Sequence, residues 1–404
     1  MTNQPEVLVP AGTPEKLHVA IDYGADAVYI GGERLGLRSR ASNFSIEDMR
    51  EGAEYAHAKS AKVYLAANIV CHENELTDMI SYLTEVRDAG IDAIIVSDPA
   101  IISAVLTQVP GLPVHLSTQA SAVNYEAVNF WAKHGLERVV LGRETTYEEI
   151  KEIKEHTDVE IEAFIQGAMC ISYSGRCVMS NYMNRRDANR GGCAQNCRFL
   201  YNLTDETGRS LTGDEQFTMS AVDMSLIPEI GRMLSTGVDS LKIEGRMKTI
   251  HYVSTVANVY RTAVDAYLAD PDNFTVDPAW IEELSKISQR RMSFGFFNGA
   301  PSKDDELFAH VKPDLGYEFI GEVQGFQNGR VIIQERNNFS EGDELEFYGP
   351  NFYHYLAKAQ DLRDEDNLKI ERASHAMMIC SINLDVKMPA GTMIRKKKTA
   401  KVTV

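Results

Sequence analysis

The chain has 404 residues, 44% of them hydrophobic and 25% charged, the proportions of a globular protein rather than a disordered or fibrous one. That length suits two or three domains whose cores need no disulfide support. Lys and Arg number 41 against 58 Asp and Glu, a net charge of −17, so contact with nucleic acid would require a local basic patch. The opening MTNQPEVLVPAG has neither the basic nor the apolar region of a secretory signal, and no apolar run is long enough to span a bilayer. The expectation is a cytoplasmic protein with no membrane association, in which the six cysteines act as thiols or metal ligands.

From the N-terminus, a strand at 7–10 leads into Thr13-Pro14, a helix cap followed by a first-turn proline. A unit then recurs: Gly24-Ala-Asp26, Gly90-Ile-Asp92, Gly135-Leu-Glu137 and Gly237-Val-Asp239 each precede a run of apolar residues. The glycine suits a left-handed helix C-cap, the acid sits in a short loop, and the apolar run begins a strand. Further buried-type strands fit at 62–69, 114–119 and 159–167, while Ser45-x-x-Asp48 and Thr146-x-x-Glu149 read as capping boxes. Eight strands alternating with helices over residues 1–270 predict an α/β fold, a (β/α)8 TIM-like barrel. An open doubly wound sheet is the competitor, disfavoured because no G-x-G-x-x-G turn follows the first strand.

Barrels of this kind carry their chemistry at the C-terminal strand ends. Those ends hold Glu33, Asn68, Asp98, Gln119, Arg143, Gln166, Lys242, Glu244 and Arg246. Lys242, Glu244 and Arg246 alternate as if along one strand, so they read either as catalytic groups on one face or as a buried structural ion-pair set. Arg38, Arg40 and Asn43 follow the second strand and are candidates to hold an anionic substrate.

Between the seventh and eighth strands, residues 168–216 form a long excursion over the barrel mouth. It carries Cys170, Cys177, Cys193 and Cys197 within 28 residues. Four soft thiolates suit an iron–sulfur cluster or zinc. Only the Cys193–Cys197 arm matches the short spacing of a zinc knot, so spacing favours a cluster. Gly191-Gly192 would let the backbone approach and offer N–H groups to the sulfurs. Cys71 and Cys380 read as small buried hydrophobes. Within it, residues 170–198 hold Arg176, Arg185, Arg186, Arg190 and Arg198 against one acid, Asp187, with Tyr173 and Tyr182 interleaved. That is the required basic patch, with aromatic rings on which bases can stack; the competing use of these arginines is pairing with acids on the barrel rim.

Residues 271–312 read as a connector, and 313–404 as a small β-barrel of short alternating strands with an Asn328-Gly329 hairpin turn. The run Arg395-Lys396-Lys397-Lys398, with Lys401, reads as a solvated edge strand.

Glu162-x-Phe164-x-x-Gly167-Ala-Met-Cys170-x-x-x-x-Gly175-x-Cys177-x-Met179-Ser180 resembles the signature of the collagenase-like peptidase family U32. The likeness continues through Pro10-Ala-Gly12, the stretch GLRSRASNF and Lys242-Ile-Glu244-Gly-Arg246, and covers essentially the whole chain. The sequence is most similar to the family's tRNA hydroxylation branch. The resemblance implies formation of 5-hydroxyuridine at the tRNA wobble position, with a 4Fe-4S cluster on Cys170, Cys177, Cys193 and Cys197 and prephenate as donor. Some relatives place one ligand further downstream; residues 198–250 here hold no cysteine, which makes Cys197 the fourth candidate. A paralogous subunit or a homo-oligomer is compatible with the resemblance.

Two other readings compete. A peptidase would need a nucleophile and base, but H-E-x-x-H and G-x-S-x-G are absent, leaving only a formal pair such as Cys177 with His115. A non-catalytic tRNA-binding or assembly factor would need the arginines but not the polar strand ends.

Overall fold

The computed structural model describes residues 4–37, 43–288, 291–307 and 316–398. Eight strands, β1 (Glu6–Pro10), β2 (Ala27–Ile30), β3 (Lys62–Ala66), β4 (Ala93–Val96), β5 (Val114–Leu116), β6 (Arg138–Val140), β7 (Glu160–Gly167) and β8 (Ser240–Ile243), pair in parallel in chain order. β8 pairs with both β1 and β7, which closes the ring. Each is a short, almost wholly buried apolar run, the pattern of a parallel strand covered on both faces.

The helices between them are α1 (Pro14–Asp22), α2 (Ile46–Ala58), α3 (Met79–Asp88), α4 (Pro99–Gln108), α5 (Tyr125–Lys133) and α6 (Tyr147–Glu155). Ser45 and Thr146 form the capping boxes the sequence announces. The repeated glycines all take left-handed φ, +105° at Gly24, +91° at Gly90, +90° at Gly135 and +76° at Gly237. The acid after each one has a use that the sequence alone does not show. Asp26 accepts the Val7 N–H (2.8 Å), Asp92 that of Val63 (2.7 Å) and Asp239 that of Ile161 (2.7 Å), so each pins the preceding neighbour strand. Each also meets a basic side chain: Arg261, His57 and Lys154 respectively.

After β7 the excursion holds a short helix, α7 (Met179–Asn184), single 3-10 turns, and isolated bridges Tyr201↔Phe217 and Thr204↔Ser210. The chain returns through Asp223–Ser225, which pairs antiparallel with the end of β7, and α8 (Ile230–Ser235) before β8. α9 (Ile250–Ala269) closes the barrel, and α10 (Pro278–Ser285) packs on it. The expected connector is partly built into the barrel: Met292–Ser293 pairs with Asp223–Ser225, and Glu306–Leu307 with Ser220–Ala221.

The C-terminal part is a seven-stranded antiparallel half-barrel of β9 (Tyr317–Gln327), β10 (Arg330–Glu335), β11 (Glu344–Gly349), β12 (Tyr353–Lys358), β13 (Gln360–Asp364), β14 (Ile379–Asn383) and β15 (Met393–Lys397), in the order β12-β11-β15-β9-β10-β14-β13. Asn328 and Gly329 make the predicted hairpin turn with φ of +53° and +77°. β15 corrects the expectation of a solvated edge: it lies between β11 and β9. Arg395 on it is 0% exposed and bidentate to Glu283 (2.6 and 2.7 Å), with Glu346 at 2.6 and 2.9 Å. Its alternate face meets α10, where a buried guanidinium survives only with carboxylate partners. Lys401 lies outside the described residues. Tyr23 Oη donates to Gly391 O (2.8 Å), Asn258 Nδ2 donates to Gly349 O (2.9 Å), and Tyr348 and Met393 join the barrel's own core, so the half-barrel is packed onto α1, α9 and α10.

Candidate metal centre at the barrel mouth

The floor of the barrel is a closed ionic set. Arg138 meets Glu6 (2.6 Å), Glu160 (2.8 Å) and Glu162 (3.3 Å), while Tyr64 (2.6 Å) and Ser240 (2.9 Å) donate to Glu6. His115 packs edge-on against Tyr64 with 4.8 Å between ring centroids. Burial, aided by Arg138, holds its imidazole well below the usual histidine pKa. A neutral ring facing Tyr64 inside the floor has no contact with Cys177 among the described residues, so the formal Cys177–His115 dyad is not assembled.

Lys242 belongs to this set as well. Its Nζ is 2.5 Å from Glu162, which is 0% exposed, and it lies over the Tyr29 (4.7 Å) and Phe164 (5.6 Å) rings. The sequence suggested one alternating trio; in fact β8 ends at Ile243, so Glu244 and Arg246 stand on the loop beyond it. They occupy the mouth. Glu244 accepts from Tyr29 Oη (3.3 Å) and faces Arg143 (3.5 Å), whose guanidinium stacks 3.8 Å above Phe164. Arg246 is 4% exposed, and a Cβ on Gly31 would lie 1.8 Å from its Nη1, so only glycine lets it pass the end of β2. Gly167, with φ +117°, clears the Glu244 backbone in the same way.

The rest of the rim is also interlocked. Asn68 Nδ2 donates to Gln119 Oε1 (3.0 Å), and Tyr260 donates to Gln166 Oε1 (3.0 Å). Asp98 caps α4 and accepts the Cys71 N–H (2.9 Å), whereas Glu33 is exposed. Asn43 has a buried Oδ1 with no hydrogen bond; Arg38 and Arg40 lie outside the described residues.

Above this rim sit the cysteines. Cys170 and Cys193 are exposed, Cys177 and Cys197 half-buried, and none forms a disulfide. Burial raises the thiol pKa of Cys170 and Cys197. The other cysteines push the same way, and Arg143 pulls Cys170 back down, so the four sulfurs and Arg143 share one electrostatic neighbourhood. The loop is fastened by groups that the sequence did not single out. Glu144 accepts the Ser174 N–H (2.6 Å). Asn189 accepts the Cys177 N–H (3.3 Å) and donates to its carbonyl (3.1 Å), and the Ala194 N–H donates to the buried Ser180 hydroxyl (3.0 Å). Isolated polar residues in an irregular loop give no periodic signal that would have found them. The Gly192 N–H closes a turn: it donates to Asp187 O (2.6 Å), 2.5 Å from where a Gly192 Cβ would sit.

The arginines divide. Arg176 and Arg185 are exposed, Arg186 and Arg198 half-buried; Arg190 is taken by Glu75, a rim acid, and ties the excursion to the loop after β3. Around them stand exposed apolar side chains, including Tyr173 (55%), Val178 (59%) and Tyr182 (86%). Arg176 and Asn189 also line a cavity of about 300 Å³, with Val70, Ser97, Asp98 and Pro99 forming its other walls.

Residues 12–307 match the pattern described as peptidase family U32, and residues 316–395 that of the peptidase family U32 C-terminal domain. The chain belongs to peptidase family U32. It is 47% identical to "tRNA hydroxylation protein P1" of Bacillus subtilis (strain 168), over 98% of this chain and 96% of that protein. A 23S rRNA 5-hydroxycytidine synthase of Escherichia coli (strain K12) is 38% identical over 84% of this chain and 52% of its own length. A protein named "Collagenase" from Porphyromonas gingivalis (strain ATCC BAA-308 / W83) is 36% identical over 74% of each chain. This U32 member therefore resembles proteins of different printed activities, and the family name alone does not choose among them. No helix among the described residues is long and apolar enough to cross a membrane.

Proposed function

We propose that this chain is a tRNA-modifying hydroxylase that forms 5-hydroxyuridine at the wobble position, with an iron–sulfur cluster on Cys170, Cys177, Cys193 and Cys197 and prephenate as the hydroxyl donor. The observation that carries the reading is the gathering of four thiols, under an arginine- and tyrosine-bearing surface, over the mouth of a barrel whose sequence is similar along its whole length to a tRNA hydroxylation protein.

The donor set fits the cluster. A lone zinc ion would hold thiolates at about 2.3 Å and draw their sulfurs to within about 4 Å of one another. Among the described residues, no three of these sulfurs lie within 4.8 Å of one another; the one such group of ligand atoms is Glu283, Glu346 and His354, which Arg395 and Lys286 already neutralise. Four thiolates that influence one another electrostatically are also the donor set of a 4Fe-4S centre. Bound there, the cluster would supply iron chemistry for activating the donor.

The chain's own residues do the rest. Arg176, Arg185, Arg186 and Arg198 attract the tRNA backbone against the protein's overall negative charge, while Tyr173 and Tyr182 offer rings for stacking. An unpaired anticodon base swings out at little cost compared with a duplex base. Arg143 and Arg246 bring guanidinium groups to the mouth, where a carboxylate-bearing donor would be held, and Glu244 orients Arg143.

The test is anaerobic purification with iron, acid-labile sulfide and zinc analysis, together with mass spectrometry of tRNA from a deletion strain carrying the gene. Iron and sulfide near four each per chain, with restored 5-hydroxyuridine, are expected. One zinc per chain, no sulfide and unmodified tRNA would sink the reading.

A further inference from the structure

We infer that the cavity between the end of β4 and the cysteine excursion is the receptor for the base to be modified, a pocket for one neutral pyrimidine rather than for the anionic donor. This rests on the tRNA reading above and places its substrate.

The cavity's volume of about 300 Å³ lies at the small end of ligand sites, and its walls are mixed in a specific way. Val70 and Pro99 are apolar and can bracket a flat ring. Asp98 and Arg176 carry opposite charges, so the pocket has no net charge to attract an anion, and a carboxylate donor entering it would meet Asp98. A pyrimidine instead presents both donors and acceptors along one edge, which is what this pair answers. Each Asp98 oxygen accepts one backbone N–H, from Ala100 (2.8 Å) and Cys71 (2.9 Å), which leaves lone pairs for a ring N–H. The Arg176 guanidinium makes no ion pair or hydrogen bond among the described residues. Ser97 is a third polar group of the walls. It is 5% exposed and lines the cavity, yet its hydroxyl has no hydrogen-bond partner among the described residues. Its hydroxyl is thus uncommitted, and a ligand in the cavity can take it as donor or acceptor.

The location suits the chemistry. Arg176 adjoins Cys177, and Asn189 grips the Cys177 backbone from both sides, so one wall of the pocket is the segment that carries a cysteine of the centre. A pyrimidine whose ring N–H meets Asp98 and Ser97 would turn its O4 and C5 side toward the Arg176 and Asn189 wall.

The experiment measures binding of the purified full-length protein to two anticodon stem-loops that differ only in having uridine or an abasic site at the wobble position. The wild type should prefer the uridine loop by about tenfold or more, the worth of one charged hydrogen bond. Asp98→Asn keeps the cap on Ala100 and gives up only the Cys71 N–H bond, and Val70→Trp fills the cavity from its exposed wall, so both should fold. Both should bring the preference close to one while leaving affinity for the abasic loop unchanged. A wild type without preference, or variants that keep it, overturns the pocket; if tRNA in the cell still carries 5-hydroxyuridine, the function stands and the base sits elsewhere. Binding of both loops no tighter than an unrelated hairpin would overturn the tRNA reading itself, and this inference with it.

Discussion

At the N-terminal end of the barrel, three aspartates, each introduced by a left-handed glycine, hold a neighbouring strand's N–H and a basic side chain at once, and Arg138 closes a floor of carboxylates beneath them. At the C-terminal end the same strands finish in a rim that is interlocked in part, with other groups more open. Arg143 faces Glu244 at 3.5 Å, Ser97 opens on a cavity, two cysteines are exposed, and Tyr182 stands 86% in solvent. One end uses charge to fix register; the other leaves chemistry available. Stability should therefore respond to changes at the floor and activity to changes at the mouth, with little crossing between them.

The sharpest break would come at the mouth. Cys193→Ala removes an exposed thiol, so 5-hydroxyuridine and the cluster's absorption should both vanish while thermal unfolding of the cluster-free chain stays within a degree or two. A large drop in Tm with retained activity would reverse the comparison. At the floor, Glu162→Ala leaves Lys242 and part of Arg138 buried without a counter-charge, and urea unfolding should show a loss of about 3–5 kcal/mol. A loss under 1 kcal/mol would mean that water reaches the floor. Back at the mouth, Arg185→Ala with Arg186→Ala should lower the slope of log affinity for tRNA against log salt by about 2 without altering stability. An unchanged slope would remove this surface from RNA contact.

How much of this was legible depended on whether the signal was local. Every barrel strand was readable, because each is a contiguous apolar run and four of them follow a Gly-x-Asp or Gly-x-Glu unit, and the polar rim and cysteine excursion followed from the barrel's rule for strand ends. Asp223–Ser225 and Met292–Ser293 were not readable: two or three residues show no period, and each is a strand only because a distant partner lies alongside. The same limit misled the reading of charge. Arg395 looks solvated in a run of lysines, since Glu283 is 112 residues away, and Lys242 looks aligned with Glu244 and Arg246 although its partner Glu162 precedes it by 80. Sequence spacing predicts which groups share an end of the barrel; which of them are already paired is a tertiary fact.

The floor should also register pH. His115 is buried neutral with its pKa well below 6.5, by burial first and Arg138 second. The unfolded chain takes up a proton near pH 6.5 that the folded chain refuses. Stability is thus fully present above that value and falls as pH drops, by about 2 kcal/mol between pH 6.5 and 5 for one such group. His251, lowered to about 3 chiefly by burial in the α9 contact with the half-barrel, adds with the same sign. In His115→Gln the fall should be smaller by one histidine's share. An equal fall in both proteins would show that His115 is already protonated in the fold.

The smallest expected effect tests whether register-holding belongs to the repeat or to the aspartate. In three copies the acid is Asp; in the fourth it is Glu137, exposed and with no side-chain hydrogen bond among the described residues. The extra methylene carries its carboxylate away from the neighbouring strand, so the fourth copy keeps the glycine cap and loses the clamp. Asp92→Ala should cost about 1–3 kcal/mol, because it strands the Val63 N–H in a buried position and frees His57. Glu137→Ala should change stability by no more than about 0.5 kcal/mol. Equal losses would mean that the acid acts through the barrel's summed charge rather than by direct hydrogen bonding. An unequal pair would show that the barrel tolerates one unclamped junction, between β5 and β6, and relies on the clamps at the other three.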